Sequence, residues 1–206
     1  MRTLGGIIVF SLLAIASFGQ RFHGGAMGGL AATQLDGDQL GGYNKPGVRL
    51  GGWVNTRISP NLILQLELEY LQKGSKISEQ ELQNRQSYFH CRLNYIQVPL
   101  VAKTNLMPRL VGEAGLAAGY LTEALIDDDG NGFREPEDLD NQRPFNQFEF
   151  SGLVGINYEL GKNFVINVRF NYSLFPVRAH PGGQKFWLNR GQFNNAMLFT
   201  LYYQID

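Results

Sequence analysis

The chain has 206 residues, with 18 Lys and Arg against 18 Asp and Glu and a formal net charge of zero. That length fits one domain or two small ones, the charge balance argues against a nucleic-acid binder with a clustered basic patch, and a single Cys excludes a disulfide framework or a multi-Cys zinc site. At 44% hydrophobic and 17% charged the chain is too apolar for disorder, and its slightly negative mean hydropathy excludes a bundle of membrane helices but not a membrane β-barrel.

The first residues read as an address. Met1-Arg2 is a short positive start, and Leu4 to Phe18 is almost wholly apolar. Ser17 and Gly19 place small residues at −3 and −1 for cleavage after Gly19. The apolar run falls short of the ~20 residues needed to span a bilayer. The expectation is a cleaved signal over 1–19, no lipid-attachment Cys after it, and a mature domain over 20–206.

From there the chain reads with period two, the mark of strands whose alternate side chains share a face. Segment 24–34 is a strand of small residues. Segment 47–58 sets Val48, Leu50, Val54 and Ile58 against Arg49, Asn55 and Arg57. Segment 62–73 sets Leu62, Leu64, Leu66, Leu68 and Tyr70 against Gln65, Glu67, Glu69 and Lys73. Segment 88–103 changes phase, because His90, Arg92 and Asn94 share parity with Ile96, Val98 and Leu100. A bulge near Tyr95 or a locally apolar interior accounts for that. Segment 110–124 sets Leu110, Ala114, Leu116, Ala118 and Tyr120 against Glu113 and Glu123. Segments 147–160, 163–174 and 193–205 alternate in the same way, with Phe150, Val168 and Phe199 among their apolar residues.

These segments predict an all-β fold of eight antiparallel strands. Each is at least as long as the ~9–11 residues that cross a bilayer, against ~5–6 in soluble sheets. Short connections (Ser59-Pro60-Asn61, Asn105 to Pro108, Gly161-Lys162-Asn163) alternate with long ones at about 35–45, 74–87, 125–146 and 176–191. That asymmetry marks an outer-membrane barrel, with short periplasmic turns and long extracellular loops. A soluble sandwich or lipocalin-like barrel shares the alternation but not the strand length, the loop asymmetry and the export signal together. The aromatics Trp53, Tyr70, Tyr120, Phe148, Phe150, Tyr158, Phe164, Phe170, Tyr172 and Tyr203 are assigned to interfacial girdles and the lipid face.

Several stretches resemble the PorT-like outer-membrane β-barrel family. They are Phe22-His23-Gly24-Gly25, Gln34-Leu35-Asp36-Gly37-Asp38, Gly42-Tyr43-Asn44-Lys45-Pro46-Gly47, Leu68-Glu69-Tyr70-Leu71-Gln72-Lys73-Gly74-Ser75 and Tyr95-Ile96-Gln97-Val98-Pro99-Leu100. The resemblance implies a barrel of the outer membrane of a Gram-negative-type cell. It also implies membrane or periplasmic secretion proteins as partners, beside the outer-membrane lipids that the strand pattern requires.

Eight strands enclose a lumen only wide enough for side chains to fill. The inward set is expected to hold Glu67, Glu69, Glu113, Glu123, Glu149 and Glu159 with Arg49, Arg57, Lys73, Arg92 and Arg169. Six acids against five bases predict a paired polar core. A narrow ion path is the competing reading, and a wide diffusion pore is excluded by strand number.

The loop after the fifth strand carries ligand spacing. Asp127, Asp129, Asn131, Phe133 (through its carbonyl), Glu135 and Asp138 match positions 1, 3, 5, 7, 9 and 12 of a calcium loop, with Gly132 at position 6. No flanking helices are expected, Arg134 is charged where an apolar residue is usual, and Asp138 is shorter than Glu. The two readings are a calcium site and a solvated acidic loop. His90, His180, Ser87 and Ser173 are the only candidates near loop ends for acid–base or nucleophilic work, and none has a partner at recognisable spacing. The chain is therefore read as a non-enzyme with no resident cofactor, and Cys91 as a small apolar packing group.

Overall fold

The computed structural model describes residues 21–38, 40–85, 88–138, 144–179 and 191–205. The segment read as an export signal, and Ser87 and His180, lie outside them. Eight strands form, β1 (Phe22–Asp36), β2 (Lys45–Ser59), β3 (Leu62–Lys76), β4 (His90–Met107), β5 (Leu110–Asp127), β6 (Phe148–Glu159), β7 (Phe164–Ser173) and β8 (Phe193–Ile205). A seven-residue helix, α1 (Glu79–Arg85), and a 3-10 turn (Pro136–Asp138) sit in the long loops. Among the described residues no helix is long and apolar enough to cross a membrane.

Each strand pairs antiparallel with the next, and β1 pairs with β8 from Gly24↔Ile205 to Asp36↔Phe193, closing the sheet into a barrel. Closure leaves no edge strand, so the ladder hydrogen bonds of the wall are made within the protein. Neighbouring strands meet in tight turns at Pro60-Asn61, Pro108-Arg109 and Leu160–Asn163. Arg109 takes a positive φ of 66° in the second of these. The other ends carry the long loops.

The alternation sorts side chains as the sequence predicts. Leu30, Leu50, Leu68, Leu100, Leu116, Phe150, Val154 and Phe199 are exposed on the outer face. Between the two rims that face carries no charged side chain. Aromatics flank the band. Tyr120 meets Phe148 (5.5 Å between ring centroids) and Phe170, Tyr172 and Phe193 stack in a row on the loop side, while Phe164 meets Tyr203 (5.2 Å) on the turn side. From Leu110 to Tyr120 the outer face of β5 is apolar over about the ~9–11 residues that a tilted strand needs to cross a bilayer.

Three sequence expectations are corrected. Trp53 faces the lumen rather than a girdle, donating through Nε1 to the Ala26 carbonyl at 3.3 Å and meeting Tyr202 edge-on at 6.2 Å. It shares parity with Arg49, and the pleat sends both inward. Glu123 and Arg92 leave the lumen. They form a loose pair at 3.8 Å, the Glu123 side chain 47% exposed, on the outer wall above the membrane band. Arg57 and Glu159 keep inward parity but lie exposed at the mouth, where the strands end.

The phase change of β4 now has a cause. Odd residues of β4 face inward throughout, and the lumen is apolar at Cys91, Leu93 and Tyr95. The bulge is real but sits on β5, where pairing jumps from Tyr95↔Leu121 to Asn94↔Glu123 and leaves Thr122 unpaired. That extra residue turns Glu123 outward.

Leu116, 62% exposed and halfway along the apolar span of β5, provides a test of the outer face. Leu116→Arg is expected to destabilise the barrel in lipid vesicles by ~2–4 kcal/mol, read by urea unfolding. An unchanged midpoint would place this face in water.

Candidate functional site

The lumen divides into three layers stacked along the barrel axis. The middle layer is charged. Parity places Arg49 on β2, Glu67, Glu69 and Lys73 on β3, Lys103 on β4, Glu113 on β5, Glu149 on β6 and Arg169 on β7, all buried. Four acids meet four bases. Arg169 holds Glu67 bidentately at 2.7 and 2.9 Å and Glu113 through Nε at 2.6 Å. Arg49 holds Glu67 at 2.8 Å, Glu69 at 2.7 Å through Nε, and the Thr200 hydroxyl at 2.7 Å. Lys73 donates to Glu149 at 2.6 Å and Asn171 at 2.8 Å. The Gln97 amide, with its nitrogen toward Glu69 (3.2 Å) and its oxygen toward Lys73 (3.0 Å), joins the two halves of the network.

Remaining acceptor positions are filled by neutral donors. Asn157 and Asn167 donate to Glu113 at 2.9 and 2.8 Å, Gln65 to Glu67 at 2.6 Å, and Asn194 to Glu149 at 2.7 Å. The Tyr202 hydroxyl accepts from Arg169 and donates to Glu67, both at 3.0 Å. Charge-assisted bonds of this length are the strong class, and saturation of the acceptors is what makes buried charge tolerable. The space is used to the last atom. A Cβ on Gly155 would stand 2.8 Å from a Glu113 carboxylate oxygen and 2.6 Å from the Val168 carbonyl.

Above the charges, on the loop side, lies an apolar cap. Leu35, Cys91, Leu93, Tyr95 and Ile126 from the wall pack with Phe145 and Val177 from two loops. Phe145 in turn lies under the Arg178 guanidinium at 4.2 Å. Below the charges, on the turn side, a cavity of 230 Å³ opens between Trp53, Tyr202, Val111 and Val165.

The loop after β5 closes through a bridge between Ile126 and Arg134, each donating to the other's carbonyl at 2.8 Å. Asp127 accepts from the Gly130 amide at 2.8 Å and Asp129 from the Asn131 amide at 2.9 Å. Arg134 pairs with Asp128 at 2.9 Å and Asp129 at 2.8 Å. Hydrogen bonds from Asn131, with the charge of Arg134 behind them, hold the Asp129 carboxyl below its ordinary range. The Phe133 ring packs edge-on against His90 at 4.9 Å and under Arg92 at 4.8 Å. Glu135 lies beyond the bridge, lining an outer groove with Glu123 and Glu137, and Asp138 ends the 3-10 turn. Among the described residues no three His, Cys, Asp or Glu side chains converge on a metal position. Of the six expected ligands, the Arg134 guanidinium pairs with Asp129.

Of the other candidates, the Ser173 hydroxyl is buried and accepts from the Asn194 amide at 2.9 Å. Neither it nor His90 hydrogen-bonds to a carboxylate among the described residues. Cys91 is buried in the cap, as a packing group should be. The expected inward set missed two buried lysines on the strands, Lys45 at the loop end of β2 and Lys103 on β4. The apparent phase change of β4 hid Lys103, although its odd position with Gln97 and Val101 was the signal, and Lys45 lies ahead of the segment 47–58 read as the second strand.

A family model described as outer membrane protein beta-barrel domain matches residues 16–178. The chain is similar in fold to Ail, the attachment invasion locus protein of Yersinia pestis, at 11% identity over 90% of this chain and 99% of that one, with a TM-score of 0.50 for the structure holding the heparin analogue sucrose octasulfate. A second Ail structure is similar at 12% identity, 89% and 98% coverage and the same TM-score. Neisserial surface protein A is similar at 13% identity, 91% and 99% coverage, with a TM-score of 0.49. No curated protein matches the chain significantly in sequence.

Two tests follow from this geometry. Gly155→Ala is expected to cost ~1–3 kcal/mol by overpacking, read by urea unfolding, with Gly152→Ala on the outer face of the same strand nearly neutral. Calcium titrated into the refolded barrel is expected to give no saturable heat while Arg134 is in place. A one-to-one isotherm that Asp129→Ala abolishes would make the loop a calcium site.

Proposed function

We propose that this chain, which belongs to the outer membrane protein beta-barrel domain family, works as a closed scaffold in the outer membrane. Its loops and rims are the surfaces through which it meets partners. One observation carries this reading. Arg169 on β7 grips Glu67 on β3 across the diameter of the barrel, at 2.7 and 2.9 Å. With the other three acids and three bases of the layer packed around them, no row of free charges among the described residues is left to lead an ion through. The apolar cap above adds a dry barrier.

The loops are where such a protein meets others. They hold exposed polar and aromatic groups, among them Tyr43, Phe133, Glu135 and Glu137. The resemblance of the β1, β3 and β4 segments to PorT-like barrels supports a finer reading, in which the partners are membrane or periplasmic proteins of a secretion assembly.

In planar bilayers the refolded protein is expected to show no stable openings. Reproducible single-channel steps would overturn the closed-scaffold reading in favour of a narrow channel. Affinity purification from native outer membranes after cross-linking is expected to recover secretion proteins with the barrel. Recovery of lipid and assembly factors alone would remove the secretion reading and leave the scaffold standing.

A further inference from the structure

We infer that the turn-side cavity is a binding site for a small organic carboxylate with a compact apolar or aromatic body, entering from the periplasm. This inference is independent of the loop-centred reading above. Its floor, walls and mouth each contribute an observation.

The floor is Lys103, whose side chain is 10% exposed and lines the cavity. An ammonium carries three donors. Its one ion partner is Glu113 at 3.6 Å, beyond hydrogen-bonding distance. Glu113 is already taken by Arg169 at 2.6 Å, Asn167 at 2.8 Å and Asn157 at 2.9 Å. The Tyr202 ring lies 4.9 Å from the ammonium and accepts no conventional hydrogen bond. Every other base of the middle layer holds a carboxylate at 2.6–2.9 Å. Lys103 alone among the four has no carboxylate within hydrogen-bonding distance, and it is the one that lines the cavity.

The walls are apolar and aromatic. Trp53 and Tyr202 meet edge-on, with Val111, Val165 and Ile63 beside them. At 230 Å³ the space is below the ~300 Å³ at which sites for drug-sized ligands begin. It suits a fragment, one ring or a short branched chain. The carboxylate of such a ligand would take charge-assisted hydrogen bonds from Lys103, and its body would cover Trp53.

The mouth carries the charge that draws an anion in. A wider, open space of 710 Å³ shares His23, Asn55, Arg57 and Ile63 with the cavity and adds Arg21. Among the described residues Glu159, on the opposite rim, is the one acid lining this entrance. An inorganic anion would satisfy Lys103 but leave the apolar walls uncovered.

Trp53 is a built-in reporter. A Trp187→Phe variant leaves it as the single tryptophan, and phenylacetate is the probe, titrated in a nonionic detergent. A saturable change in Trp53 emission is expected, weakened at least tenfold by Lys103→Met and retained by Lys103→Arg. Val111→Phe, which fills the cavity and leaves the ammonium in place, is expected to abolish it, so the result does not hang on one variant. Acetate and phenylacetamide at equal concentration are expected to produce no saturation. No saturable change with phenylacetate, an unchanged curve in a folded Lys103→Met or Val111→Phe, or equal binding of phenylacetamide would each overturn the inference.

Discussion

Everything in this barrel depends on a pair of charges that cannot reach water. Glu67 and Arg169 stand on strands four apart in a ring of eight, so their contact spans the lumen. An uncompensated charge buried there would cost several kcal/mol. Each partner therefore recruits others. Arg49 comes to Glu67 from β2, Glu113 to Arg169 from β5, and asparagines, Gln65 and Tyr202 fill the remaining positions. The strands are tied to one another across the lumen as well as around the wall.

The division into layers follows from the same constraint. A network of buried charges holds together best where water is kept from it. On the loop side the wall turns apolar at Leu93 and Tyr95, and Phe145 and Val177 descend from the loops to complete the cap. On the turn side no such cap forms, and the network ends at Lys103, the base with the weakest partner. The cavity below it opens at the turn-side mouth. The outer face shows the converse economy: lipid solvates no charge, so the outward positions between the rims carry none.

Much of this was legible in the residues. Alternation in β3, β6, β7 and β8 gave the inward and outward sets, and loop asymmetry gave the membrane. Arg49, Glu67, Glu69, Lys73, Glu113, Glu149 and Arg169 were all identifiable as luminal by parity. The failures have physical causes. Period two tells which face a residue shares but not how far along the axis it lies, so Arg57 and Glu159 were assigned to the interior when they sit at its mouth. One unpaired residue on β5, Thr122, reverses the parity of everything after it and carried Glu123 outward. Trp53 was assigned by residue type, against the parity it shares with Arg49. The acidic loop stands apart from these failures: it keeps the spacing of a calcium site, and Arg134 folds back onto Asp128 and Asp129, so titration with calcium decides between its two readings. Which charge pairs with which across the lumen was not legible at all, because it depends on barrel closure and stagger.

The central claim is that the contact between Glu67 and Arg169 is a coupled pair holding the lumen shut, not two side chains that happen to be near. A double-mutant cycle with Glu67→Gln and Arg169→Met, read by reversible urea unfolding in lipid vesicles, measures it most directly. Each single variant leaves a buried charge without its partner and is expected to lose ~3–5 kcal/mol. The double variant is expected to recover part of that loss, with a coupling energy of at least ~1.5 kcal/mol. Additive losses with no coupling would contradict the account, because the two charges would then be satisfied independently.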